Sequence, residues 1–124
     1  MAAQPDLWGE IVPAKVRTPL AVLREQASLL GPKTKNLVEA KVTTGQIADR
    51  GEFVHHFNLV VPALDNYTYE LFRVAHGVAL YPVRIPGTHT SFQSEEALLD
   101  WLRQKLSAPE TKGIIANLFS QVTT

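Results

Sequence analysis

Apolar residues recur along this chain with two different periods, and each change of period marks a new element. Leu20, Leu23, Ala27 and Leu30 are spaced as one face of a helix. Thr18 stands before them as a natural N-cap, and Pro19 takes the first helical position, where its missing N–H costs nothing. Gly31 followed by Pro32 predicts the end of that helix. From residue 36 the period falls to two: Val38, Ala40 and Val42 alternate with Leu37, Glu39, Lys41 and Thr43, which predicts a first strand.

Turn signals divide the middle of the chain into further strands. Asp49-Arg50-Gly51-Glu52 closes the first strand and opens a second, running from about Glu52 to Leu64. Asp65-Asn66 leads to a third strand over Tyr67–Ala75, and His76-Gly77 to a fourth over Val78–Ile85, ended by Pro86-Gly87. Pro82 cannot donate to a ladder, so its strand is expected at a sheet edge or a bulge. Thr88–Gln93 reads as a loop. Ser94 then caps a helix with Glu95 and Glu96 in its first turn and Leu98, Trp101, Leu102 and Leu106 on its apolar side. Ser107-Ala108-Pro109-Glu110 has the form of a capping box, opening a last helix with Ile114, Ile115, Leu118, Phe119 and Val122 inward.

The pattern predicts an α+β fold in the order α-β-β-β-β-α-α, with a four-stranded antiparallel meander. Residues 1–17, broken by Pro5, Gly9 and Pro13, are expected to form an extended arm held down by Leu7, Trp8, Ile11 and Val12. Residues 18–124 form the domain. Even-numbered hairpin loops at the turns named would set Val42 opposite Leu59, Leu59 opposite Phe72, and Phe72 opposite Tyr81, all on one face. The opposite face would then carry Asn58, Val60, Tyr69, Leu71, Arg73, Leu80, Pro82 and Arg84.

Charge narrows the partners. Twelve Lys and Arg balance twelve Asp and Glu in 124 residues, so the formal net charge is zero. That balance supplies no drive toward nucleic acid or an anionic membrane, and it removes the self-repulsion that opposes association. There is no cysteine, which excludes disulfides, thiol catalysis and thiolate metal sites. The first residues lack the basic and apolar regions of a secretory signal, and no apolar run approaches a membrane span; a cytoplasmic location is expected.

No phosphate-binding glycine loop, dinucleotide fingerprint, helical metalloprotease His pair or nucleophile elbow is present. Among single residues, His55 is predicted across from His76 on the apolar face, beside Gln46. Two imidazoles without a third ligand do not make a metal site, and no metal or cofactor is expected. Adjacent His55 and His56 point to opposite faces. Glu70 is expected on the core face between Val61 and Val83, where burial would raise its pKa. Arg73 and Arg84 suit an anion or a protein interface.

The half-apolar outer face predicts a non-enzymatic interaction module. Its expected binding residues are Tyr69, Leu71, Arg73, Leu80, Arg84, Asn58 and Val60. The partner would be a second copy of the chain or another protein, as for an adaptor or inhibitor. A small hydrolase using His55, His76 or Glu70 is the alternative from a different class. A small-ligand binder with Phe57, Phe72, Tyr81 and Trp101 around a pocket, and Glu70 as its polar contact, is the third.

Overall fold

A computed structural model describes residues 4–47 and 51–123. Helix α1 spans Pro19–Ser28, with the Thr18 hydroxyl accepting from the Ala21 N–H as the cap predicts. Its buried side is Pro19, Val22, Leu23 and Ala27. The helix breaks before the glycine: Leu29 caps it, and Gly31 and Pro32 lie inside a separate single turn, α2, Leu30–Lys33. Thr34 ties that turn to the first strand. Its buried hydroxyl donates to the Val38 carbonyl at 2.7 Å and accepts from the Val38 N–H at 3.0 Å. Lys35 and Asn36, both at positive φ, form the loop it closes.

The sheet has five strands rather than four, in sequential order: β1 Glu39–Ile47, β2 Glu52–Val61, β3 Tyr67–His76, β4 Val83–Arg84 and β5 Ser91–Phe92. The expected α+β class and helix placement hold; the meander simply goes one strand further. The segment expected as a loop supplies β5, pairing Phe92 with Val83 and Ser91 with Arg84. The expected fourth strand shrinks to two residues because Gly77–Pro82 form a connection, with Leu80 at positive φ and a cis bond between Tyr81 and Pro82.

Register differs from expectation in a way that parity partly absorbs. Val42 faces Phe57 and Ala40 faces Leu59, two residues from the predicted pairs but with every side chain still on its predicted face. The turn at Asp49-Arg50 lies outside the described residues. The β2–β3 loop breaks the rule of even loops. Pro62–Leu64 form a 3₁₀ turn, Asp65 and Asn66 follow at positive φ, and Val61 pairs with Tyr67 across this odd-numbered loop.

A β-bulge repairs the parity. Phe57 pairs with Phe72, the next pair is Asn58 with Glu70, and Leu71 is the extra residue. Leu71 and Phe72 therefore both turn toward the core, and Glu70 turns away from it.

All helices pack on one face of this sheet. Val22, Leu23, Leu98 and Leu102 close over Phe57, Phe72, Val74, Val83 and Phe92, with Tyr81 and Trp101 against the rim of the cluster. Phe57 and Phe72 stack at 4.9 Å, and Trp101 meets Phe72 edge-on at 5.0 Å. A second cluster joins Val38, Leu59, Val61 and Leu118. Helix α3, Glu95–Ser107, starts at the predicted Ser94 cap. Helix α4, Pro109–Thr123, follows after Ala108 alone. The capping box does not form, because the Ser107 hydroxyl donates back to the Arg103 carbonyl. Instead the buried Thr111 hydroxyl donates to the Lys105 carbonyl at 2.7 Å and binds α4 to the end of α3.

The arm is not held down. Residues 5–17 have no regular structure, and Leu7, Trp8, Ile11 and Val12 are 70–81% exposed. Thr34 gives a direct test of the fold. Thr34→Val keeps the volume but strips Val38 of both hydrogen bonds to the Thr34 hydroxyl, and should cost about 1–3 kcal/mol in urea unfolding. An unchanged midpoint would show that this loop does not need the hydroxyl.

Candidate functional site

Three arrangements stand out: a buried histidine pair, an ionic cluster on the outer face, and a groove among the helices. The histidine pair follows from the register. His55 lies opposite Thr44 and Val74, while His76 lies opposite Phe53, two residues along the same inner face. Their Nε2 atoms are 2.7 Å apart, with the rings 4.8 Å between centroids. Gln46, expected beside His55, faces Phe53 instead.

The partners decide the tautomers. His76 Nδ1 faces the Gly77 carbonyl at 2.8 Å, which can only accept, so His76 carries its proton there. Its Nε2 then accepts from His55 Nε2–H, and His55 Nδ1 accepts from the Thr44 hydroxyl at 2.9 Å. One proton per ring completes the chain Thr44 → His55 → His76 → Gly77. A metal ion needs about 2.0 Å to each nitrogen in a tetrahedral arrangement, which nitrogens this close cannot provide. The pair is 2% and 4% exposed. Burial, then the charges of His76, Arg24 and His56, pushes His55 down to about 4.

Glu70 does not sit in the core. The bulge places it on the outer face, accepting from Arg73 Nη2 at 2.7 Å and bonded to His56 Nδ1. Partial burial pushes its carboxyl up, but the hydrogen bonds from His56 and Arg73 outweigh it and hold the pKa below the ordinary value. A raised pKa at this position was the expectation; the partners reverse it. Nearby, Glu52 and Arg84 form a two-pronged ion pair at 2.5 and 3.0 Å, which raises the Arg84 pKa.

The face expected for the seven interaction residues is divided. Asn58, Val60, Arg73 and Arg84 share the outer face with Glu70 and Glu52; Asn58 donates to Thr43 at 3.4 Å and Arg84 to Glu52 across strands, while Arg73 donates to Glu70 within β3. Val60 is buried. Tyr69 pairs with Leu59, so it follows the inner face at its exposed margin. Leu80 lies in the Gly77–Pro82 connection. Leu71 turns inward at the bulge. The odd loop and the bulge that compensates for it displace Tyr69 and Leu71; Leu80 departs because Gly77–Pro82 forms a connection instead of a strand.

Leu71 enters the third arrangement. A groove of about 550 Å³ lies between α1–α2 on one side and α3–α4 on the other. Its floor is Phe57, Leu59 and Leu71. Leu29 and Leu30 form one wall; Leu99, Leu102, Leu106 and Ile115 form the other. Lys33, Arg103 and Lys112 stand in the lining with Gln26 and Ser107, and no acidic side chain does so among the described residues. Of these cations Arg103 has a carboxylate partner, Asp100, at 3.4 Å; Lys33 and Lys112 make no ion pair among the described residues. The pocket expected from sequence shares only Phe57 with this groove. Phe72 and Trp101 are packed into the core beside it, Tyr81 lies at the core rim donating to the Arg17 carbonyl, and Glu70 is on the far face.

The groove escapes a reading of the sequence because its walls come from helices distant along the chain; its only trace there is the wide apolar girth of α3 and α4. The chain matches no family profile, no curated protein and no solved structure. No helix among the described residues is long and apolar enough to cross a membrane.

The depressed His55 pKa has a measurable consequence. Unfolded His55 takes a proton near 6.5 and folded His55 only near 4, so between these values the unfolded chain binds more protons. The stability associated with the neutral ring is complete above pH 6.5 and is lost as pH falls toward 4, about 3 kcal/mol in all. Urea unfolding at a series of pH values should show that loss in the native protein and not after His55→Phe/His76→Phe. An equal slope in both proteins would assign it to other groups.

Proposed function

We propose that the protein is a non-enzymatic interaction module whose working surface is the groove between α1–α2 and α3–α4, receiving an apolar polypeptide segment that carries acidic side chains. The observation that carries this reading is the combination of an open leucine-rich trough with a lining that is cationic and, among the described residues, has no acidic group. Apolar grooves take up side chains as anchors, and charge of one sign at the rim selects the partner and its orientation. Two lysines without ion-pair partners among the described residues leave that charge available.

The catalytic alternative draws less support. Each ring nitrogen of His55 and His76 is spent within the Thr44–Gly77 chain, and both oxygens of Glu70 are engaged by His56 and Arg73. A small anionic amphiphile is the second reading, favoured by a groove volume within the ~300–1,000 Å³ usual for ligand pockets.

Anilinonaphthalene sulfonate, apolar rings with one negative charge, is a direct probe. It should bind the full-length protein saturably and become fluorescent. Leu29→Glu with Leu106→Glu, both at partly exposed groove positions, should weaken that binding about tenfold or more while keeping the helical circular dichroism. Equal affinity for both proteins would remove the groove as the working surface. Stabilisation by dodecanoate, with none by apolar acidic peptides, would favour the amphiphile.

A further inference from the structure

We infer that the segment received by the groove is the N-terminal arm of a second copy of this chain, exchanged reciprocally in a two-fold dimer. The inference rests on the proposed role of the groove and names its occupant. The arm has what the groove lacks. Between Pro5 and Pro13 it carries Leu7, Trp8, Ile11 and Val12, and its charged groups there are Asp6 and Glu10, both acidic. Four large apolar side chains left 70–81% exposed on one short segment are a cost that burial in an apolar trough would relieve. Carboxylates interspersed with them match Lys33, Arg103 and Lys112.

In this structure the arm stays out of its own groove, its four large apolar side chains exposed and outside the lining. The arm leaves its domain at Arg17, whose guanidinium is bonded to Glu25 and lies 3.9 Å from Glu95, and whose carbonyl accepts from Tyr81 at 3.1 Å. Glu95 opens α3, and Arg17 directly precedes the α1 cap. The groove lies at the other end of both helices, along Gln26–Lys33 and Leu99–Ser107. The pinned root starts the arm near the N-terminal ends of α1 and α3, and none of residues 4–17 lines its own groove. Reciprocal exchange buries both arms with one kind of contact, the self-complementary arrangement that closes a dimer. Zero net charge imposes no long-range repulsion between the copies.

Light scattering on size-exclusion fractions over a concentration series is the test. The full-length chain should be a dimer that dissociates on dilution. Leu7→Ser/Trp8→Ser/Ile11→Ser/Val12→Ser alters only exposed positions and should be monomeric with an unchanged fold. Lys33→Glu/Lys112→Glu should weaken the dimer about tenfold or more, and adding Asp6→Lys/Glu10→Lys should restore it. Mixing the serine-arm protein with the glutamate-groove protein should yield a mixed dimer, since one has an intact groove and the other an intact arm. A strictly monomeric full-length chain overturns the inference, as does a dimer that persists in the serine-arm variant. If the serine-arm protein still binds anilinonaphthalene sulfonate in its groove, the groove reading survives that failure; if it does not, both fall.

Discussion

The bulge at Leu71 is the constraint on which the rest of the sheet depends. A five-residue connection between β2 and β3 would, by itself, put β3 out of phase with the core. One unpaired residue restores the phase, so that Phe72, Val74 and His76 face inward beside Phe57, His55 and Phe53. It also turns two consecutive apolar side chains, Leu71 and Phe72, to the helix side. Phe72 completes the aromatic core with Phe57 and Trp101, while Leu71 becomes part of a floor that no helix fully covers.

The same local event separates the two faces by chemistry. Glu70 moves outward into reach of His56 on β2 and Arg73 on its own strand, and the outer face becomes an array of ion pairs and hydrogen bonds within and between strands. Such half-exposed pairs add little stability each, yet they occupy the polar groups that a ligand would need. On the inner face the apolar side chains are shared between two clusters, and the groove lies where α1–α2 and α3–α4 diverge above Leu59 and Leu71. Opposite characters on the two faces favour an interaction surface among the helices over one on the open side of the sheet.

The buried histidines show how narrow the tolerance is on that inner face. Two imidazoles fit there because each nitrogen has one partner of the right kind, from the Thr44 hydroxyl to the Gly77 carbonyl. The pair serves the sheet end as a directional link between β2 and β3.

Most of what near neighbours govern was legible in the amino-acid sequence. The Thr18 and Ser94 caps, the helical stripe of α1, the inward parity of β1 and β2 and the helices' order are set by propensity, capping chemistry and period. The break before Gly31 and the diverted Ser107 hydroxyl departed from the spacing rules because other local bonds competed: the Asn36 N–H donates to the Gly31 carbonyl at 2.8 Å, and Ser107 donates back to Arg103. The location of the bulge, the side of the sheet taken by Glu70 and Leu71, and the existence of the groove were settled in three dimensions. Loop parity depends on how the 3₁₀ turn at Pro62 seats against the core, and a groove depends on how far apart helices settle. Neither quantity is encoded in the spacing of residues along a single element.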